Sequence, residues 1–312
     1  MDIALHKDGT REVIANAGKS QRSKRKQKSR FFHPMVLAVH LTDGGKKIHE
    51  GLLASYHEIH RESPTFCAFF ADENASKNRF PDIPLNDHTR VVLSESEGGD
   101  YYHASYVDGL VQSKQFVLAQ APFTQDTEAD FHRLVAELKP EAIIVLMKED
   151  TPEAKLICPE GRGEKTCAGI KFRIEEETKS KHRNVKVSVT DGKSVSHKLQ
   201  MFFMSSWIDE HKIPEDIWEF RAAIKKKIPT WPAREAAALI VSQSGTKRTG
   251  VWFMADTEAD RLQTKTRIRF SESIRQLRYQ RHEALESFEL FVGLVNLMEK
   301  FAKQVVEKQI VV

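Results

Sequence analysis

Residues 236–262 constrain this chain more than any other segment. Ala236–Val241 (AAALIV) is an uninterrupted apolar run, which suits a strand buried on both faces. The polar stretch Ser242–Thr249 (SQSGTKRT) follows as a loop, and Gly250–Leu262 then reads as a helix. A polar loop between a buried strand and a helix N-terminus turns several backbone N–H groups inward, and the helix dipole adds to them, so the segment suits an anion. Arg248 could add a planar fork matched to two phosphate oxygens. Gly245 to Gly250 fits the GxxxxG spacing of a nucleotide loop, but Val251 and Trp252 stand where Lys and Ser or Thr would bind phosphate and magnesium. The nucleotide reading therefore fails. Taken alone, the loop is equally well an ordinary strand-to-helix turn with a solvated Arg248.

Elsewhere helical and extended periods alternate, as in a mixed α/β domain. Ile48, Leu52, Tyr56 and Ile59 share one helical face. Asp126 is positioned to cap a helix burying Phe131, Leu134, Val135 and Leu138, with Pro140 ending it before a strand over Ala142–Met147. Strands are expected near Val185–Val189 and Lys198–Met204. A helix over Pro214–Lys227 would bury Ile217, Phe220 and Ile224 and carry Lys225, Lys226 and Lys227 at its C-terminus, where the dipole favours them. Helices over Ser271–Arg281 and about Glu283–Val305 follow, the second with Phe288, Phe291, Val295, Met298 and Phe301 inward.

Charge divides the chain. Basic residues exceed acidic ones by four over 312 residues, yet seven basic residues (Lys19, Arg22, Lys24, Arg25, Lys26, Lys28, Arg30) fall in one acid-free stretch, leaving a net −3 elsewhere. The main body thus gives no charge argument for nucleic acid. Residues 1–45 read as a basic, disordered tail, with a solvated arm, a nuclear-import signal, a membrane contact through 19–30, or phosphorylation at Ser20, Ser23 or Ser29 as its uses. Three sparse cysteines, Cys67, Cys158 and Cys167, suit a reducing compartment, and the N-terminus lacks a signal-peptide core. The expectation is a cytoplasmic or nuclear protein. His57 and His60 have i, i+3 spacing, but no ligand cluster joins them, so neither a metal nor a cofactor is expected.

Several segments together resemble one family. Lys77, Asn78, Arg79, Phe80, Pro81, Asp82 and Ile83, then Asp87, Arg90, Val91 and Leu93, are similar to the KNRYxDI...DxxRVxL segment of the protein tyrosine phosphatases. Tyr101–Gly109 (YYHASYVDG) resembles YINASYVDG, Gln120–Phe131 resembles QGPLxxTxxDF, and Trp207–Pro214 (WIDEHKIP) resembles the mobile WPDHGVP loop. Val241–Gly250 (VSQSGTKRTG) lies on HCSAGxGRTG and Leu277–Arg281 on LRxQR. The matches are collinear over about Lys46 to Lys303. The resemblance implies an α/β (α+β) fold with a central mixed, highly twisted sheet flanked by helices, in a domain over 46–305 followed by a short end, 306–312.

It also implies a phosphate-binding Arg248, a general-acid position at Asp209, and a cleft formed by Phe80, Asp82, Gln243, Ser244, Gly245, Thr246, Lys247, Arg248 and Thr249. Phe80 would stack on the substrate ring and Asp82 would bond the peptide backbone. Three of the family's reacting parts are absent. Ser242 holds the nucleophilic cysteine position, Val241 the preceding histidine, and Glu286 and Leu290 the later glutamines. An anion-binding loop can hold a cysteine as thiolate, whereas a serine hydroxyl stays protonated without an adjacent base. The expectation is a pseudophosphatase that holds a phosphotyrosine protein or peptide, a kinase or another signalling protein in the former cleft. The alternatives are a phosphatase with weak residual activity and a scaffold with an empty cleft. Lys247 replaces a glycine whose backbone a lysine could resist.

Overall fold

The computed structural model describes residues 2–5, 11–13, 64–94, 98–159, 163–192, 194–229, 235–236, 238–265 and 267–310. The basic run 19–30 and the helix expected over 48–59, with His57 and His60, lie outside the described residues.

The central strands are the most apolar ones. Strand β5 (Phe116–Gln120), β6 (Ala142–Val145) and β11 (Ala238–Ser242) are buried at every position, because helices cover both faces. With β10 (Ser194–Phe203) they form a parallel centre in the order β5, β11, β6, β10. Antiparallel strands extend both edges. On one side lie β4 (Tyr101–Val107) and β3 (Arg90–Val92), and on the other β9 (Arg183–Asp191), β8 (Ile170–Lys179) and β7 (Glu164–Cys167), completing a nine-stranded mixed sheet. A second, three-stranded sheet pairs β1 (Asp2–Leu5) with β2 (Arg11–Val13) and with β12 (Arg267–Arg269). Residues 2–5 and 11–13 lie in the stretch read as a disordered tail, yet their backbone groups pair in register with β12 and with each other.

Helix α1 (Cys67–Phe70) is one turn. Helix α2 (Gln125–Leu138) begins one residue before the expected cap, because Thr124 and Thr127 form a reciprocal capping box, leaving Asp126 in the first turn. Lys139, left-handed at φ 49°, ends it ahead of Pro140. Helix α3 (Pro152–Ile157) is short, and α4 (Ile217–Lys227) buries Ile217, Phe220 and Ile224 and ends on the three lysines. Helix α5 (Lys247–Lys265) starts three residues earlier than the glycine suggested, so Arg248 belongs to its first turn rather than to a loop. Helices α6 (Phe270–Gln280) and α7 (Phe288–Ile310) complete the chain. One core lies between the sheet and α4, α5, α6 and α7, a second between the sheet and α2, and a small third cluster gathers Phe69, Leu85 and Tyr101. Among the described residues no helix is long and apolar enough to cross a membrane.

Candidate active site

Ser242 is the last residue of β11, at the carboxyl end of the parallel strands, where open α/β sheets place their ligands. The chain turns through Gln243, Ser244, Gly245 and Thr246 into α5. Gly245 has φ +69°, and a Cβ there would lie 2.5 Å from the Ala119 carbonyl carbon and the Gln120 nitrogen, so only glycine lets the loop pass over β5. Two serines hold the turn from within. Ser242 Oγ accepts from Gly245 N at 3.1 Å, and Ser244 Oγ accepts from Thr246 N at 3.3 Å and Lys247 N at 3.4 Å. Lys247 is accommodated without left-handed backbone because it opens the helix.

Arg281 clasps the loop from outside. Only 1% exposed, it donates from Nε to the Gly245 carbonyl at 3.0 Å, from Nη2 to the Ser244 carbonyl at 3.3 Å, and from Nη1 to Ser105 Oγ at 3.3 Å. Its Nη2 also lies 2.8 Å from His103 Nδ1, whose partner nitrogen Nε2 meets the Ile83 carbonyl at 3.0 Å. A guanidinium can only donate, so Nδ1 accepts and the ring is neutral with its proton on Nε2. Burial holds the His103 pKa down at about 3 and draws that of Arg281 down to about 9. These two residues hold the carbonyl side of the turn, while on its N–H side Gly245, Thr246 and Lys247 donate to the hydroxyls of Ser242 and Ser244.

Arg248 is 5% exposed and lies under the loop. Its Nη1 donates to the Leu146 carbonyl at 3.0 Å and its Nη2 to the Ile208 carbonyl at 3.4 Å, while Nε is buried with no hydrogen-bond partner. Burial lowers its pKa, and the carboxylates of Glu210 and Asp209 act against that shift. Glu210 Oε1 stands 3.8 Å from Arg248 Nη2. Lys247 Nζ spans the mouth, 3.9 Å from Glu210 and 3.7 Å from Glu286. Asp209 is exposed and accepts from His211 N at 2.8 Å, which engages its carboxylate in its own turn.

On the opposite wall, Gln120 accepts from Arg79 N at 2.9 Å and donates to the Lys77 carbonyl at 3.0 Å, fixing the segment that carries Phe80 and Asp82. Phe80 is half-buried beside the Arg79 guanidinium, 5.6 Å from its ring, and Asp82 is exposed. Gln243 is half-buried, whereas Thr249 is fully buried with its hydroxyl unpartnered. Val241 and Leu290 are fully buried core residues and bring no polar group to the site. Glu286 stands at the mouth, its pKa raised by burial and by its hydrogen bond to Glu283. Glu210, Arg281, His103 and Gln120 were not singled out from sequence. All four do fall inside the family-like segments, but partners as far as 178 residues away gave no local signal. Among the described residues no three His, Cys, Asp or Glu side chains gather to hold a metal ion.

A nine-stranded mixed sheet with a polar turn between a central strand and the following helix, and a buried arginine in the first turn of that helix, defines a class of mixed-sheet α/β domains. The family model for protein-tyrosine phosphatase matches residues 74–300. The chain belongs to that family. It is 28% identical over 257 residues to tyrosine phosphatase H2 of Microplitis demolitor bracovirus (isolate Webb), covering 76% of this chain and 78% of that protein. It is 24% identical over 227 residues to the human receptor-type tyrosine-protein phosphatase F, covering 70% of this chain and 12% of that protein. The chain spans only 10–14% of the length of the first three curated relatives it matches. A solved structure of PTPN18, from work on its fingerprint on distinct HER2 tyrosine phosphorylation sites, has the same fold. Its TM-score is 0.68 at 21% identity, over 78% of this chain and 87% of the other.

Proposed function

We propose that this domain is a catalytically inactive tyrosine phosphatase that binds a phosphotyrosine-bearing protein in the former substrate cleft. The observation that carries this reading is the state of the turn itself. At the nucleophile position Ser242 Oγ accepts from Gly245 N–H, and among the described residues no basic side chain bonds it. A serine hydroxyl without a base stays protonated and is a weak nucleophile. Asp209, at the general-acid position, is exposed and bonded within its own turn. Leu290, at a glutamine position, is buried in the core and cannot orient water.

Recognition needs less than catalysis does. The Arg248 Nε–H is unpartnered, and its Nη2 holds a long bond to a carbonyl and a loose ion pair with Glu210, so one edge of the fork is available to two phosphate oxygens. A neutral Ser242 removes the thiolate charge that would oppose a dianion. A phosphoprotein held here would be shielded from other enzymes, and the bearers of such a group are kinases, their substrates and other signalling proteins. The test is phosphopeptide binding: Arg248→Met is expected to abolish an affinity that wild type shows. Equal affinity in the two proteins would mean that the pocket is not a phosphate site.

A further inference from the structure

The mouth of the cleft has a charge pattern opposite to that of its floor. Below lie Arg248 and the N-terminal turn of α5. Above lie Asp82, Glu283 and Glu286 on one side, and Asp209 and Glu210 on the other. Glu286 lies close enough to the carboxyl groups of Glu283 and Asp82 for both to raise its pKa. Glu210 approaches both Arg248 and Lys247.

Among the described residues few cations balance this at the mouth. Lys247 lies between Glu210 and Glu286, Arg278 is 3.5 Å from Glu283, and His282 is 3.2 Å from the same carboxylate. Arg79 pairs with Glu153. Position 81, between Phe80 and Asp82, is a proline and adds no charge. Among the described residues named here, five carboxylates therefore meet three full positive charges, Lys247, Arg248 and Arg278, of which Arg248 is buried.

We propose that Asp82, Glu283 and Glu286 make the cleft selective for phosphotyrosine flanked by lysine or arginine. This rests on the phosphotyrosine reading above. The phosphate meets the buried Arg248, whose Nε has no partner, while the neighbouring residues of the peptide run past the three carboxylates. A basic neighbour gains attraction there, and an acidic neighbour meets like charge. Glu210 offers a further carboxylate to a cation on the far side.

The test titrates the full chain with two labelled phosphotyrosine peptides of one length, flanked by lysines or by glutamates, with fluorescence anisotropy as the readout. An exposed ion pair changes affinity by a factor of about 1.5 to 5, so two or three pairs give a preference on the order of tenfold for the basic peptide. The preference should shrink as salt rises. In Glu283→Gln/Glu286→Gln it should fall to about threefold or less, mainly through weaker binding of the basic peptide. Equal affinity for the two peptides, or a preference unchanged in the double variant, overturns the inference and leaves phosphotyrosine binding intact. An unphosphorylated basic peptide that binds as tightly as the phosphorylated one, or no binding of either phosphopeptide, overturns the phosphotyrosine reading itself.

Discussion

Acid should loosen this domain through His103, because its ring is held neutral beside a buried cation. An exposed histidine titrates near 6.5, whereas in the fold burial and the Arg281 charge hold His103 at about 3. Between those values the unfolded chain takes up a proton that the native chain refuses, so stability is greatest above about pH 6.5 and falls as pH drops toward 3. Each unit is worth about 1.4 kcal/mol, so this one residue costs about 2 kcal/mol between pH 6.5 and about pH 5. His132, drawn to about 4 by burial, adds a loss of the same sign, so wild type alone cannot isolate the effect. The comparison is with His103→Asn, whose amide oxygen can still accept from Arg281 but does not titrate in this range. Urea midpoints at about pH 7, 6 and 5 should show wild type losing about 2 kcal/mol more than the variant. Parallel losses in the two proteins would refute the placement of the neutral ring against Arg281.

Three further outcomes follow from the geometry of the turn. Gly245→Ala forces a Cβ to 2.5 Å from β5 backbone at a left-handed position, and should cost about 2–4 kcal/mol by denaturant unfolding; unchanged stability would mean the turn is free to move. Ser242→Cys should not restore normal turnover of a phosphotyrosine substrate, since Val241 and Leu290 stay apolar and Glu286 stays a carboxylate at the family's histidine and glutamine positions; robust activity in that single variant would show that these departures are tolerated. Glu210→Gln removes a carboxylate 3.8 Å from Arg248 and should tighten phosphopeptide binding by about two- to fivefold in a titration, with no change as the contrary result.

The centre of the fold is legible because its signals are local. Ala236–Val241 announces a buried strand, and β11 occupies Ala238–Ser242 within one or two residues of it. The outer meander is not. In β8 the buried Phe172 and Ile174 alternate with exposed Arg173 and Glu175, but a bulge between Ile174 and Glu176 breaks the period and three glutamates in a row hide it. The cap of α2 went to Thr124 rather than Asp126 because two threonines three apart satisfy each other's backbone groups. At the site, the turn and Arg248 can be read from one stretch of chain. The clasp by Arg281 and His103 joins residues 178 apart, and only the sheet brings them together.

Whether this domain binds without cleaving is tested most directly by measuring phosphate release and peptide binding on one preparation with one phosphotyrosine peptide. Ser242 bonded to Gly245 N and lacking a base predicts saturable binding, lost in Arg248→Met, with no phosphate released above the peptide-alone rate. Phosphate release that saturates with peptide and disappears in Ser242→Ala would contradict it.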